Sequence, residues 1–315
     1  MFIARGIGIS LALFVLLYVP VSLAVSRSWA LLWQVFAPRT ARGSANLLFA
    51  LRIFPFVLAS VFTLLFTLPS FLLLEPRSTD EAVGTAPLML GLCCLALLAA
   101  GIVQAALAQV RTSRALVKWM DGSTALESVD AVQVFRTGEN APSLTVAGVR
   151  EPKVLVSEAA IAALTPLELR TALKHEMAHA QTYDNLKKLL FRFSAFPGMA
   201  GLERTWSEQS ELAADDAAVS CSRDALDLAG ALIKVSRLST LRPQAALTTG
   251  LLHSSTALGT RVQRLVSWEK QPAAGTGSKH LRYALPSLGG VLFLVVATYG
   301  PALTCVHEIT EWLVR

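Results

Sequence analysis

The chain has 315 residues, of which 53% are hydrophobic and only 16% are charged, and its formal net charge is +6. In soluble domains about a quarter of the residues are charged, so much of the surface of this protein is expected to face lipid. The positive charge is typical of a membrane protein with Lys and Arg in its cytoplasmic loops, and nucleic-acid binding is not predicted. The four cysteines form no C-x-x-C pair and indicate neither a disulfide framework nor a cysteine zinc site.

Four apolar runs are long enough to cross a bilayer as helices, which takes roughly 20 residues. They are Gly6–Ser26, Ile53–Leu74, residues 85–108 within Ala82–Val110, and Tyr283–Val306. The sequence therefore predicts three spans in residues 1–110 and a fourth at 283–306, followed by a short extracytoplasmic tail at 307–315. The first run is interpreted as a retained span rather than a cleaved signal peptide, because another apolar segment follows it directly.

The distribution of basic residues predicts the orientation of these spans. Four arginines follow the first run, namely Arg27, Arg39, Arg42 and Arg52. The connection after the second run has one Arg and three acidic residues. By the positive-inside rule, the first connection and the polar segment at 111–282 are expected to be cytoplasmic. The spans contain almost no ionisable residue, which argues against a channel or transporter, because intramembrane charge usually marks an ion pathway.

The polar segment, residues 111–282, has the length of one compact domain. Its first part contains strand-like stretches separated by Gly, Asn and Pro, which predict a small sheet of two or three strands. These stretches are Ala131–Arg136, Ser143–Ala147 and Lys153–Val156. A helix is predicted to begin after Thr165, because Thr165 and Glu168 form a capping box around a proline. The predicted fold class is an α-helical membrane protein with four transmembrane helices and a cytoplasmic α+β domain.

The predicted helix carries His175, Glu176 and His179 in an H-E-x-x-H pattern. Imidazoles at i and i+4 share one helical face and can supply two corners of a tetrahedral zinc ion. Zinc lowers the pKa of a bound water to about 7, and Glu176 can accept its proton as the water attacks a carbonyl. The pattern also occurs by chance in helices whose histidines are surface groups. Asp184 is interpreted as the end of this helix rather than as a metal contact.

A second helix, predicted at Arg204–Val219, offers the third ligand. Its predicted start is a capping box of Thr205 and Glu208. Glu211 and Asp215 follow and share one face at i and i+4. Glu211 can complete a His-His-Glu ligand set, and Asp215 can hydrogen-bond the outer nitrogen of a ligand histidine. Glu208 is the rival ligand, although its predicted capping role explains it without a metal.

The segments Leu164–Leu186 and Glu211–Ala218 resemble the membrane-embedded gluzincin metallopeptidases of the BlaR/MecR type, which are antibiotic-sensing receptors and their relatives. More distantly, they are similar to the HtpX and CAAX prenyl protease group. The resemblance includes the order of three spans, a zinc domain and a fourth span. It implies a zincin-like domain in which the two histidines and Glu211 bind Zn²⁺, Glu176 is the catalytic base, and the sheet holds an extended substrate strand.

Two departures from these families affect what is expected of the chain. The receptors carry an extracellular penicillin-binding domain after the last span, where this sequence has only His307–Arg315, so direct sensing of β-lactams is not expected. The spacing from His179 to Glu211 is too short for the membrane hairpin of the prenyl-protease group, which favours the BlaR/MecR type.

A tetrahedral oxyanion needs a hydrogen-bond donor in addition to zinc. The motifs described so far do not supply this donor. His253 and Arg261 lie in a segment that faintly resembles a histidine-to-arginine segment of the HtpX-like peptidases. Either residue could contribute to transition-state stabilisation. Ordinary packing or salt bridging is the alternative for both.

Together these patterns favour a zinc-dependent endopeptidase in a bacterial cytoplasmic membrane, with a cytoplasmic catalytic domain. Its expected partners are the lipid bilayer and a protein or peptide substrate, which could be a regulator, a membrane protein, or a second copy of the chain as homodimer or self-cleavage partner. The alternative is a signalling or scaffold protein whose zinc site is structural and closed by a fourth side chain. Glu176 argues against that alternative, because a structural site has no use for a base.

Overall fold

The computed structural model describes residues 2–38, 40–75, 84–126, 132–138, 141–238, 248–250, 255–268 and 298–311. The chain forms two compact units. The first unit comprises Met1–Arg27, Phe54–Ala99 and Gln271–Arg315, and the second comprises Ser28–Ile53 and Ala100–Lys270. The second unit therefore contains residues 111–270 of the predicted polar segment, together with Ser28–Ile53 and residues 100–110.

Three helical segments of the described residues are long and apolar enough to cross a membrane. They are α1 (Phe2–Phe36), α2 (Ala41–Phe62), which continues through a π-helical turn (Thr63–Thr67) into α3 (Leu68–Leu74), and α4 (Thr85–Met120). Each of the first three predicted spans lies within one of these segments. Each of the three segments also extends past its predicted span, because the polar residues that flank the apolar core continue the helix. Most of the predicted fourth span lies outside the described residues, although residues 298–311 are helical.

The second unit contains a mixed sheet in the order β1-β2-β4-β3-β5. Its strands are β1 (Thr124–Ala125), β2 (Gln133–Thr137), β3 (Leu144–Ala147), β4 (Lys153–Ser157) and β5 (Thr248–Gly250). Strands β2 and β4 are parallel, and the other neighbours are antiparallel. The prediction of β2, β3 and β4 is correct, but the predicted number of two or three strands is wrong. Strands of two or three residues have no alternating pattern of their own and depend on pairing with a neighbour.

The turn between β3 and β4 brings the chain back sharply at Gly148. This residue has φ +102°, and a Cβ added there would lie 2.7 Å from the carbonyl oxygen of Glu151. Only glycine adopts such a conformation at little cost. The turn sets the antiparallel register of β3 on β4, in which Val146 faces Val154.

Six further helices complete the described part of the second unit. They are α5 (Glu158–Ala163), α6 (Pro166–Gln181), α7 (Asp184–Phe193), α8 (Ala200–Ala218), α9 (Ser222–Leu238) and α10 (Ser255–Val266). Helix α6 packs against the sheet on one side and against α8 and α9 on the other. The main core joins Val146 and Val154 of the sheet to Ala172 of α6 and to Leu228 and Leu232 of α9. This packing buries α6, which carries the H-E-x-x-H pattern.

The predicted capping box at the start of α6 is confirmed. The Thr165 hydroxyl accepts a hydrogen bond from the amide of Glu168, and the Glu168 carboxylate accepts one from the amide of Thr165 at 2.7 Å. Lys234 of α9 also donates to Glu168 at 2.7 Å. These bonds satisfy amides that the first helical turn leaves without partners. They hold the start of α6 against α9.

The predicted capping box of Thr205 and Glu208 is wrong, although the helix that it predicted exists. Helix α8 begins at Ala200 with Met199 as its N-cap, so both residues lie inside the helix. The physical reason is the turn just before, where Gly198 has φ +88° and directs the chain into the helix earlier. Glu208 is exposed and lies outside the metal-ligand cluster, so the structure does not support it as the rival ligand.

Candidate metal centre

The chain bends sharply between α6 and α7, directly after the second histidine of the pattern. Helix α6 ends at Gln181, and Tyr183 adopts a left-handed conformation with φ 54°. A positive φ is uncommon for a residue other than glycine. The bend allows Asp184, the first residue of α7, to contact His179.

Three buried side chains converge on one point between α6 and α8. The Nε2 atoms of His175 and His179 are 3.2 Å apart, and each lies 3.6 Å from one carboxylate oxygen of Glu211. In a tetrahedral zinc site with bonds of about 2.0–2.1 Å, neighbouring donor atoms are separated by about 3.3–3.4 Å. The three predicted ligands are therefore together, and their spacing fits a single metal ion of this size.

The outer nitrogen of each histidine faces a carboxylate. The Nδ1 atom of His179 lies 2.7 Å from Asp184, and that of His175 lies 3.0 Å from Asp215. The second contact is close but does not meet hydrogen-bond geometry. Carboxylates in these positions favour the proton on Nδ1 and leave both Nε2 lone pairs directed at the same point. Two lone pairs at 3.2 Å repel each other unless a cation or a proton lies between them, and either a metal ion or a proton shared by the two nitrogens meets this requirement.

Asp184 has three partners, so its own position is well defined. In addition to His179, Ser210 donates to it at 2.5 Å and Lys187 at 3.0 Å. Burial alone would raise the pKa of Asp184, but the contact with His179 and the charge of Lys187 lower it well below its ordinary value. Asp184 is therefore an anion that orients His179. This role is not predicted by the sequence, because in a continuous helix a residue five positions after His179 would not face it.

Glu176 occupies the position next to His175 and is fully buried. Among the described residues, neither of its carboxylate oxygens has a hydrogen-bond partner. Burial raises the pKa of Glu176 to about 7, and the nearby charges of His175 and His179 oppose this rise. A buried carboxyl group without partners is costly, and such groups are found where chemistry requires them. Its location is that expected of a general base beside a metal-activated water.

Arg261 of α10 contacts two carboxylates of the site. Two of its nitrogens bind Asp215 at 2.8 and 2.7 Å, and the third binds Glu211 at 2.8 Å. Burial alone would lower the pKa of Arg261, but these carboxylates raise it well above its ordinary value. The structure thus places Arg261 in the salt bridge that was its alternative role. His253, the other candidate for transition-state stabilisation, lies outside the described residues.

Replacing Asp184 with asparagine is expected to weaken metal binding by about 10–100-fold, which is the usual cost of losing a carboxylate behind a ligand histidine. An amide at this position can no longer stabilise the proton on His179 Nδ1 as an anion does. The affinity is measured by competition with a coloured chelator. Asp216→Asn is the matched control, because Asp216 lies on α8 and pairs with Arg264 outside the ligand cluster. Equal affinity in both variants would contradict the role of Asp184.

The buried His-His-Glu set and the adjacent glutamate define a candidate metal centre of the H-E-x-x-H class. Comparisons of the chain with models of known protein families and with curated proteins find no match. The likeness to BlaR/MecR-type peptidases therefore depends on the motifs and on the order of the apolar runs.

Proposed function

We propose that this protein is a zinc-dependent endopeptidase embedded in a bacterial cytoplasmic membrane. The observation that carries the proposal is the position of Glu176, a buried carboxyl group with no described partner, beside three convergent metal ligands. A metal site with a purely structural role does not need an adjacent carboxylate that binds nothing. A hydrolytic site does need one, because the attacking water must lose a proton.

The residues of the site have separate roles in the proposed reaction. When bound, zinc supplies a Lewis acid that polarises a carbonyl and lowers the pKa of a water. His175, His179 and Glu211 would hold the ion, while Asp184 keeps the His179 ring in the required tautomer. Glu176 accepts the proton of the attacking water at one of its unpartnered oxygens and then donates it to the leaving amine.

We propose an extended protein segment as the substrate. In the described residues, β5 is the last strand of the sheet on its side, and it packs near α6 and α7. An extended peptide can add to a sheet edge through main-chain hydrogen bonds, which would place it close to the ligand helix. A cytoplasmic regulator, a membrane protein or a second copy of this chain all meet this requirement.

The proposed topology has four spans and a cytoplasmic catalytic domain. Three helices of suitable length and hydropathy support the membrane location. The arginines that follow the first apolar run support the orientation, because basic residues accumulate on the cytoplasmic side. The fourth span is proposed from the apolar run at residues 283–306.

A signalling or scaffold protein is the second candidate, and one observation favours it. Arg261 pairs with the ligand Glu211 and with Asp215. Charged groups held in place in this way are also compatible with a structural zinc site that a fourth side chain closes. The two candidates differ in one measurable property, which is zinc-dependent cleavage of peptide bonds.

Metal removal tests the proposed activity directly. The full-length protein in lipid nanodiscs is expected to lose cleavage of a quenched fluorescent peptide library after chelation, and to regain it with about one equivalent of zinc. The Glu176→Ala form serves as a background control, and a comparison of its membranes with those of the wild type identifies proteins that accumulate uncut. Cleavage that survives chelation, or wild-type protein that cleaves nothing when loaded with zinc, would contradict the proposal.

A further inference from the structure

Arg52 is a buried arginine on α2 that holds two other helices together. Its side chain is 1% exposed. Its Nε donates to Glu203 of α8 at 2.8 Å, and its two terminal nitrogens donate to the Ser194 hydroxyl at 3.2 Å and the Phe191 carbonyl at 3.1 Å. The last two acceptors belong to the C-terminal end of α7, where carbonyl groups lack helical partners and a cation is favoured. In the sequence, Arg52 stands out only as one of the basic residues that predict the orientation of the spans.

Phe49 lies three residues earlier on α2, on the same helical face as Arg52, and connects to the metal centre. Its ring centroid lies 5.7 Å from the Lys187 ammonium, in a cation–π contact. Lys187 donates to Asp184 at 3.0 Å, and Asp184 lies 2.7 Å from the Nδ1 of His179. A continuous series of contacts therefore runs from Phe49 of α2 to a predicted metal ligand.

A second series of contacts runs from α2 to the helix of Glu211. The Phe49 ring lies 5.7 Å from the Phe191 ring, and the guanidinium of Arg52 lies 5.3 Å above that ring. Phe191 in turn packs edge-on against Trp206 of α8 at 4.9 Å. Trp206 is buried and precedes Glu211 on α8 by little more than one helical turn. Contacts from α2 thus reach α7 and α8, which carry Asp184 and Glu211.

We propose that Arg52 and Phe49 are positioning residues of the metal centre. A buried arginine is costly unless its donors are satisfied. The donors of Arg52 are satisfied only when the end of α7 and the start of α8 both lie against α2. That arrangement holds in place the two helices that carry Asp184 and Glu211. Because α2 belongs to a segment long and apolar enough to cross a membrane, a displacement of this helix would change the affinity of the site for its metal.

The test measures the metal affinity of the full-length protein in nanodiscs, with zinc and cobalt as probes. Arg52→Gln and Phe49→Leu are expected to weaken zinc binding by at least about 10-fold, as loss of support behind a ligand does, and to shift the visible absorption bands of the cobalt form. Arg42→Gln, also on α2, is the matched control and is expected to leave affinity and spectrum unchanged. Phe49→Leu keeps an apolar side chain and serves as the test if the arginine variant fails to fold.

Four outcomes are possible, and each supports or overturns either this proposal or the proposed function. Weaker zinc binding with a changed cobalt spectrum supports it. Variants that only lower the unfolding temperature of the metal-free protein, with unchanged affinity and spectrum, would show a purely structural role and overturn it. The proposal rests on the metal centre of the proposed function, so a wild type that binds neither metal overturns both. A wild type that binds zinc without cleaving peptides overturns the peptidase alone.

Discussion

Glu176→Gln is expected to lower kcat by roughly 10²–10⁴, the usual contribution of a general base, while zinc binding is retained. Glutamine has the shape of glutamate but cannot accept the proton of the attacking water. No described hydrogen bond is lost, because both oxygens of Glu176 lack partners in the described residues. The fold is also expected to tolerate the change, since a neutral amide at a fully buried position avoids the cost of a buried charge.

The measurement combines turnover at saturating peptide with zinc content determined by mass spectrometry. Glu208→Gln is the control, because Glu208 is exposed on α8 and lies outside the ligand cluster. It is expected to show wild-type turnover and wild-type zinc content. If the Glu176→Gln protein is fully loaded with zinc and still turns over at the wild-type rate, Glu176 is not the base.

Arg261→Met is expected to lower the free energy of unfolding of the metal-free protein by about 3–5 kcal/mol, which is the usual cost of removing one partner of a buried ion pair. Methionine leaves two buried carboxylates, Glu211 and Asp215, without their cation. Zinc is expected to restore part of the loss, because a bound cation beside Glu211 replaces some of the missing charge. Unfolding is followed by circular dichroism in detergent, with and without zinc.

The control for this variant is Arg264→Met on the same helix. Arg264 pairs with Asp216, and both side chains are about one-third exposed. Exposed pairs contribute about 0–1 kcal/mol, so only a small loss is expected. If Arg261→Met costs no more than Arg264→Met, the salt bridge does not support the site. If the free energy of unfolding falls equally with and without zinc, the metal does not replace the positive charge that Arg261 provides beside Glu211.

Several features of this protein follow from local sequence and were predicted correctly. Hydropathy alone indicated three of the apolar helices, because a run of about 20 apolar residues is sufficient to define a span. The capping box at Thr165 predicted the start of α6, because its hydrogen bonds join residues only three positions apart. The helical spacing of His175 and His179 predicted that their rings would meet, since i and i+4 share a face.

The position of Glu211 was predicted with less direct information. Its spacing to Asp215 predicted a shared helical face, but the contact between α8 and α6 was inferred from the chemistry of the ligand set. The structure does bring Glu211 to the two histidines. The helix start, in contrast, was predicted wrongly, because several residues of α8 can act as caps and the preceding turn decides which one is used.

The sequence by itself therefore determined the apolar helices, the H-E-x-x-H helix and two candidate ligands, since each depends on residues close together in the chain, and the chemistry of the ligand set added Glu211. Asp215 was suggested by the sequence as a partner of a ligand histidine, and only the tertiary structure decided the others. Asp184 reaches His179 through the bend at Tyr183, Arg261 reaches Glu211 from a helix 50 residues later in the chain, and Arg52 reaches α7 and α8 from α2. Such contacts join distant residues, and no local periodicity predicts them, because packing of helices and sheet alone sets which charges meet.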